Sequence, residues 1–163
     1  MFLKSVDIVN FRNYSDLSLE LGPNINIIYG DNAQGKTNLL ESIYFLALTK
    51  SHRSFIDDNL IKEGEKIAKI SAVLSNNDID RTFKIVLSSA SKKMFIDDFN
   101  HKKVSDYISN INVIIFYPED LDLVKGGPIV RRRYINLELS QLYSNYMEIF
   151  NDYKKLIRIK GNY

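Results

Sequence analysis

One short segment limits what this chain can fold into more than any other: residues 24–53, NINIIYGDNAQGKTNLLESIYFLALTKSHR. The run INIIY at 25–29 is apolar enough to predict a buried strand, and the glycine, aspartate and asparagine that follow favour a turn. From Gly35 to about Leu48 the apolar residues recur at helical spacing, at Leu39, Leu40, Ile43, Leu46 and Ala47. The segment is therefore predicted to be a strand, a loop and a helix.

The loop has the residue types of a phosphate cradle. Gly30 and Gly35-Lys36-Thr37 fit the pattern G-x-x-x-x-G-K-[ST], in which glycines let backbone N–H groups point at phosphate oxygens. Lys36 would meet the β and γ phosphates, the Thr37 hydroxyl would bind Mg²⁺, and the helix would add its positive dipole end. Since the pattern lies between a predicted strand and a predicted helix, we favour a nucleoside triphosphate site over a chance match.

The rest of the chain is mostly strand-like until residue 117. Turn clusters such as Asn76-Asn77-Asp78 separate the segments, and their short spacing without helices predicts antiparallel hairpins. Strands are predicted at 2–9, 16–21, 67–75, 81–88, 93–96 and 112–117.

A last helix is predicted from Pro128, because proline suits a first helical turn and Gly126-Gly127 breaks the chain before it. Its apolar residues step alternately by four and three, the seam of a helix that packs lengthwise on another. Two copies could pair along this seam, or a partner helix could lie beyond Tyr163 in a longer protein. The second alternative is favoured because the chain stops within a few residues of the seam. The seam residues are Ile135, Leu139, Leu142, Tyr146, Ile149, Tyr153 and Leu156.

Composition narrows the class of partner. The net charge is only +2, so contact with nucleic acid would depend on local clusters such as Lys50-Ser51-His52-Arg53 and Arg131 to Arg133, although some of these cations could instead pair with Glu138 or with carbonyls. No recognition helix or aromatic platform is evident, so we expect no sequence-specific readout. With no cysteine and no long apolar stretch, the chain is predicted to be soluble, cytoplasmic and not in a membrane.

Three stretches in order resemble the N-terminal part of the RecF family of recombination mediators. They are VDIVNFRNYSDLSLEL at 6–21, YGDNAQGKTNLLESIYFLALTKSHR at 29–53 and FYPEDLDLVKGGPIVRRRYINLELSQL at 116–142. The resemblance implies an α/β fold, a P-loop NTPase of the ABC/SMC-head type with mixed and antiparallel sheet, truncated after a long helix. Residues 1–126 would form the N-terminal half of the ATP-binding head, and 127–163 would begin a helical region.

The resemblance also implies a function. RecF-like proteins bind ATP with Mg²⁺, bind DNA without sequence preference, form an ATP-dependent homodimer, and act with RecR-type and RecO-type mediators to load recombinase at single-strand gaps. By that likeness Thr37 orders Mg²⁺, and Arg12 and Asn13 approach the nucleotide from a preceding loop. On the residues alone, Arg12 is interpreted as a solvated arginine in a hairpin. The implied ATP-binding residues in the loop are Gly30, Asp31, Asn32, Ala33, Gln34, Gly35, Lys36, Thr37 and Asn38.

The chain departs from the family pattern in lacking a Walker B carboxylate pair and a signature loop, which the family places past residue 163, so we expect no ATP turnover by this chain alone. Two acidic segments could imitate Walker B. Asp97-Asp98 is better interpreted as a hairpin turn, and Glu119-Asp120 as a helix start. Two other hypotheses stay open: a self-contained P-loop kinase or NTPase that uses Asp97 or Glu119 as its Mg²⁺ carboxylate, and an assembly module that acts through the seam.

Overall fold

The structure is a computed structural model that describes residues 1–54, 56–108, 110–116, 125–143 and 145–160. They form two compact units, of which the first ends at Lys102 and the second begins at Lys103. The sequence predicted a different kind of division, between an ATP-binding half-head at 1–126 and a helical region at 127–163. That division stays a prediction.

The first unit is built on one antiparallel sheet of six strands, in the order β2-β1-β3-β4-β5-β6. The predicted hairpins are confirmed: Asn77 and Asp78 turn between β3 and β4, and Asp97 and Asp98 turn between β5 and β6, all four with positive φ. Asn and Asp tolerate this backbone region better than other non-glycine residues. The strands are β1 (Phe2–Phe11), β2 (Tyr14–Glu20), β3 (Ile67–Asn76), β4 (Ile79–Ser88), β5 (Ser91–Ile96) and β6 (Phe99–His101).

The core lies on one face of this sheet. Ile8, Ile70, Ile85 and Met94 are paired in register across β1, β3, β4 and β5, and all four are buried. Helix α1 (Lys36–Leu48) packs against β1, β3 and β4 and covers this face. Alternation of apolar and polar residues along the strands thus gives the sheet its buried side.

The predicted buried strand at 25–29 is wrong. This segment is irregular, and Ile25, Ile27 and Tyr29 are 87%, 82% and 90% exposed. A strand requires a neighbour to take its backbone hydrogen bonds, and no described strand pairs with these residues. Apolar composition predicted burial, but it carries no information about which segment would supply the partner.

The second unit is helical, with α2 (Val104–Ile108), α3 (Pro128–Leu142) and α4 (Tyr146–Lys160). Pro128 lies in the first turn of α3 as predicted, but the predicted continuous helix is wrong because the backbone of Tyr143 is extended, with φ −127° and ψ 111°. Asn145, a residue type that favours helix starts, precedes α4. The break interrupts the seam between Leu142 and Tyr146.

The predicted strand at 112–117 is also wrong over the five of its residues that the structure describes. Residues 112–116 are irregular, and Ile114 and Phe116 are 75% and 89% exposed. The backbone N–H of Val113 donates to the side-chain oxygen of Gln141 at 2.7 Å, a side-chain contact in place of a strand partner. Within the described residues, no helix has the length and apolar character needed to span a membrane.

Candidate phosphate-binding site

The predicted phosphate loop leads directly into α1. Gly30, Ala33 and Gly35 have φ of 150°, 66° and 103°, so the backbone turns repeatedly through a region that side chains disfavour. Gly35 is the N-cap of α1, and its carbonyl accepts the first helical hydrogen bond, from Leu39 at 2.9 Å. The amides of the first turn of α1 carry the partial positive charge of a helix start, as a phosphate site requires.

Lys36 places its positive charge inside the loop. Its ammonium donates to the carbonyls of Gly30 and Asp31, both at 2.6 Å. The two ends of the predicted pattern are therefore joined by one side chain. The hydroxyl-bearing residue Thr37 follows on the first turn of α1 and is exposed, as are the loop residues Asp31, Asn32, Ala33 and Gln34.

The turn between β1 and β2 packs against this loop. The hydroxyl of Tyr14 donates to the carbonyl of Gly35 at 3.1 Å, and the side-chain nitrogen of Asn13 lies 3.5 Å from the carbonyl of Gln34. A methyl group at Gly35 would come within 2.8–2.9 Å of Asn13 and Tyr14 side-chain atoms. Gly35 is thus required both by its backbone conformation and by the close approach of its neighbours.

Arg12 is held beside the loop and is not a solvated arginine, so that interpretation is wrong. Its guanidinium donates to both oxygens of Glu41, Nε at 3.0 Å and Nη2 at 2.7 Å, and its Nη1 donates to the carbonyl of Asn59 at 2.9 Å. Glu41 is fully buried in α1. A paired arginine and carboxylate with this fork geometry is one of the stronger polar contacts available to a protein.

A second arginine reaches the same carboxylate. Arg53 Nη1 lies 3.3 Å from Glu41 and donates to the side-chain oxygen of Asn38 at 2.9 Å. Asn38 in turn donates to the side-chain oxygen of Asn13 at 2.8 Å. These contacts connect Glu41 to the turn that packs on the phosphate loop.

The ionisation of Glu41 is set by opposing effects. Burial alone would raise the pKa of Glu41, but hydrogen bonds from Arg12 and Ser51 and the charges of Arg12 and Arg53 lower it below the usual value. Ser51 is itself buried, and its hydroxyl donates to Glu41 at 2.5 Å. Glu41 is therefore a carboxylate at neutral pH.

The structure thus brings Arg12, Asn13 and Asn38 to the predicted loop, while the binding role of these residues stays a prediction. Sequence reasoning missed Tyr14 and Glu41. The signal for Glu41 was a single charge in the apolar run LLESIYFLAL, where burial of the residue would demand a cationic partner.

The structure describes only one of the two carboxylates, Asp97 and Glu119, that were considered as alternative Mg²⁺ ligands. Asp97 accepts from Arg81 Nε at 2.9 Å and from the backbone N–H of Thr82 at 2.8 Å, and Asp98 pairs with Lys84 at 2.9 Å. The interpretation of Asp97-Asp98 as a hairpin turn is therefore confirmed, and both oxygens of Asp97 are engaged in holding it. Glu119 and Asp120 lie outside the described residues.

Comparison with known proteins assigns the chain to a family. A family model described as AAA ATPase domain matches residues 1–160. The chain belongs to this family. Two curated proteins named DNA replication and repair protein RecF, from Pediococcus pentosaceus and Lactobacillus johnsonii, are 44% and 41% identical over all 163 residues. The resemblance to RecF is confirmed, although the chain spans only 44% of the length of each of these relatives.

Solved structures agree with the predicted fold class. Two structures of the recombination mediator RecF in the RecFOR pathway, described as RecF-ATPrS and RecF-ATP, superpose with a TM-score of 0.88 at 30% identity. Each is matched over 94% of this chain, and over 42% and 43% of the other chain. The SMC head domain from Thermotoga maritima has a TM-score of 0.58 at 17% identity, over 69% of this chain and 43% of its own, which indicates a shared fold. The P-loop ATPase fold of the ABC/SMC-head type is therefore confirmed.

Proposed function

We propose that this chain is the ATP-binding part of a RecF-like recombination mediator. In this proposal the loop from Gly30 to Thr37 binds the triphosphate, the Thr37 hydroxyl holds Mg²⁺, and Asn38, Arg12 and Asn13 flank the site. When bound, Mg²⁺ neutralises phosphate charge and orders the triphosphate. ATP is the nucleotide by likeness to the solved RecF structure whose description names it.

One observation carries the proposal: Lys36 lies inside a loop whose three positive-φ residues lead into a helix start. A loop of this kind presents backbone N–H groups and a cation to the same small volume, which suits a polyanion. The polar turn at Asn13 and Tyr14 contacts the end of the loop from one side, which reduces the ordering that the ligand must impose there.

The wider role follows from the resemblance to the RecF family and is likewise part of the proposal. The protein would bind DNA without sequence preference, dimerise in response to ATP, and act in the cytoplasm with RecR-type and RecO-type partners during repair and replication. Nucleotide would act as a switch, since a ligand shared by two heads stabilises the dimer over the monomer.

Titration calorimetry with Mg-ATP tests the nucleotide site. Lys36→Ala should abolish binding, because the variant loses the charge in the loop, whereas Lys66→Ala, which removes an exposed lysine before β3, should leave affinity unchanged. If the unaltered protein is folded and gives no heat of binding with Mg-ATP, the proposal is wrong.

The competing hypothesis of a self-contained kinase or NTPase is less well supported. Asp97 would have to give up its contacts with Arg81 and Thr82 to bind a metal ion. A kinase or hydrolase activity abolished by Asp97→Ala would nevertheless favour it.

A further inference from the structure

Glu41 is a buried charge close to the candidate site but not part of the phosphate loop. Its side chain has no exposed area, and it lies on α1 five residues after Lys36. A carboxylate in the protein interior is costly unless cations and hydrogen bonds surround it, and an apolar residue could fill the same space at less cost. A buried carboxylate in this place therefore calls for an explanation beyond stability.

The carboxylate holds two arginines at once. Arg12 occupies both oxygens in a fork, and Arg53 approaches one of them. The three side chains together carry one net positive charge. The carboxylate is fully buried, whereas the side chains of Arg12 and Arg53 are 21% and 45% exposed. The exposed part of the cluster is therefore cationic.

The exposed parts of these arginines line an open cleft next to the phosphate loop. The cleft has a volume of about 400 Å³, and Arg12, Asn13, Asn38 and Arg53 are among its lining residues. Asn38 directly follows Thr37, and Asn13 touches the loop at Gln34. A ligand with several phosphate groups that entered the loop would meet the arginines at its edge.

The backbone of Arg12 shows how firmly it is held. Its φ is 55°, a left-handed conformation that is uncommon for a residue other than glycine. Its N–H donates to the carbonyl of Leu60 at 2.8 Å, and its side chain is fixed by Glu41 and Asn59. Arg12 is in the two-residue turn between β1 and β2, where a positive φ is common, and its fixed backbone and side chain leave the guanidinium little conformational freedom to lose.

We propose that Glu41 is a positioning residue, which holds Arg12 and Arg53 at the edge of the phosphate loop so that they are ordered before a nucleoside polyphosphate binds. This inference rests on the proposed ATP site. Freely rotating arginines would lose conformational entropy when they met the ligand, and arginines held by a buried carboxylate have already lost it. Glu41 itself does not touch the ligand.

Binding of Mg-ATP by the intact protein tests the role of Glu41. Glu41→Gln keeps the size of the side chain and removes its charge. We expect a weakening of Mg-ATP binding by about tenfold, the lower end of the effect of losing a residue that supports a ligand contact. Glu41→Asp keeps the charge and should recover part of the affinity.

A double-mutant cycle separates positioning from simple stability. If Glu41 acts through Arg12 and Arg53, Glu41→Gln adds little to the weakening caused by Arg12→Met and Arg53→Met together, and the effects are not additive. Urea unfolding of each variant gives the folded fraction, to which the dissociation constants are corrected. An unchanged corrected constant in Glu41→Gln, or fully additive effects, would overturn the inference.

A second variant keeps the inference testable if Glu41→Gln does not fold. Arg53→Lys retains the charge at a side chain that is 45% exposed, but loses the planar fork. It should weaken Mg-ATP binding by about tenfold, and an unchanged affinity would count against the inference. Loss of binding in Lys36→Ala with no effect in these variants would reject the positioning role alone, whereas no binding by the unaltered protein would reject the ATP site itself.

Discussion

Removal of Arg12 should destabilise the first unit far more than the removal of an equally close ion pair on the surface. Arg12→Met takes away two hydrogen bonds, at 3.0 and 2.7 Å, from a carboxylate with no exposed area. Loss of one partner from a buried pair costs about 3–5 kcal/mol. We expect about 3 kcal/mol, because Ser51 and Arg53 still contact Glu41 after the substitution.

Urea unfolding at pH 7 measures this loss, and Lys4→Met is the matched control. The Lys4–Asp80 pair is also 2.7 Å long, but its two side chains are 46% and 45% exposed. Water and salt screen such a pair, so the control should change the free energy of unfolding very little. The two pairs have the same shortest distance and the same charges, but the Arg12 pair is buried and joined by two hydrogen bonds, whereas the Lys4 pair is exposed and joined by one.

The pH dependence gives a second readout. Arg12 and Ser51 lower the pKa of Glu41 in the folded state, so the contribution of Glu41 is present above its unfolded pKa of about 4.3 and is lost as pH falls through the folded pKa. In Arg12→Met, Glu41 loses the hydrogen bonds and the charge of Arg12, so its pKa should lie higher than in the unaltered protein. The difference in stability between the unaltered protein and Arg12→Met should therefore be large at pH 7 and should shrink as the pH falls through the pKa of Glu41 in the variant towards its lower pKa in the unaltered protein.

A loss below about 1 kcal/mol at pH 7 would refute this reasoning, because it would place Glu41 among ordinary exposed pairs. A difference that stayed constant as the pH fell would also refute it, since the cost would then have nothing to do with the charge on Glu41.

Three further predictions concern other parts of the chain. Gly35→Ala should weaken Mg-ATP binding by about fivefold or more by calorimetry, because alanine at φ 103° is strained by about 1–3 kcal/mol and its methyl group meets Asn13 and Tyr14 at under 3 Å. Asp97→Ala should leave Mg-ATP affinity unchanged, because Asp97 is occupied by Arg81 and Thr82; a loss of affinity would revive its role as a metal ligand. Leu142→Glu should reduce concentration-dependent light scattering, because Leu142 is 68% exposed on α3; equal scattering by both proteins would show that this part of the seam does not drive association.

The parts of the fold that follow from nearby residues could be predicted from the sequence. Each hairpin depends on a few turn residues, such as Asn77 and Asp78, and on alternation within its own two strands. Helix α1 follows from the spacing of its apolar residues and from the glycine before it. The phosphate loop is also local, because its glycines, Lys36 and the helix start lie within eight residues.

The parts that depend on distant partners could not be predicted. The run at 25–29 has the composition of a buried strand, yet its placement depends on a neighbour that its own residues do not specify. The contact of Arg12 with Glu41 joins residues 29 positions apart, and only the folded sheet and helix bring them together. The break at Tyr143 was hidden because apolar periodicity continues across it at Leu142 and Tyr146.

Helix α1 fixes the distance between Lys36, which lies in the phosphate loop, and Glu41, which holds the two arginines. Lys36 is its first residue and Glu41 its sixth, so the rigid rise of an α-helix sets them about 7.5 Å apart along its axis. A residue inserted between them would turn Glu41 about 100° around the axis and carry it away from Arg12. The exposed Leu40 can be exchanged by protein engineers, but the length of this span cannot be changed without disconnecting the arginines from the lysine.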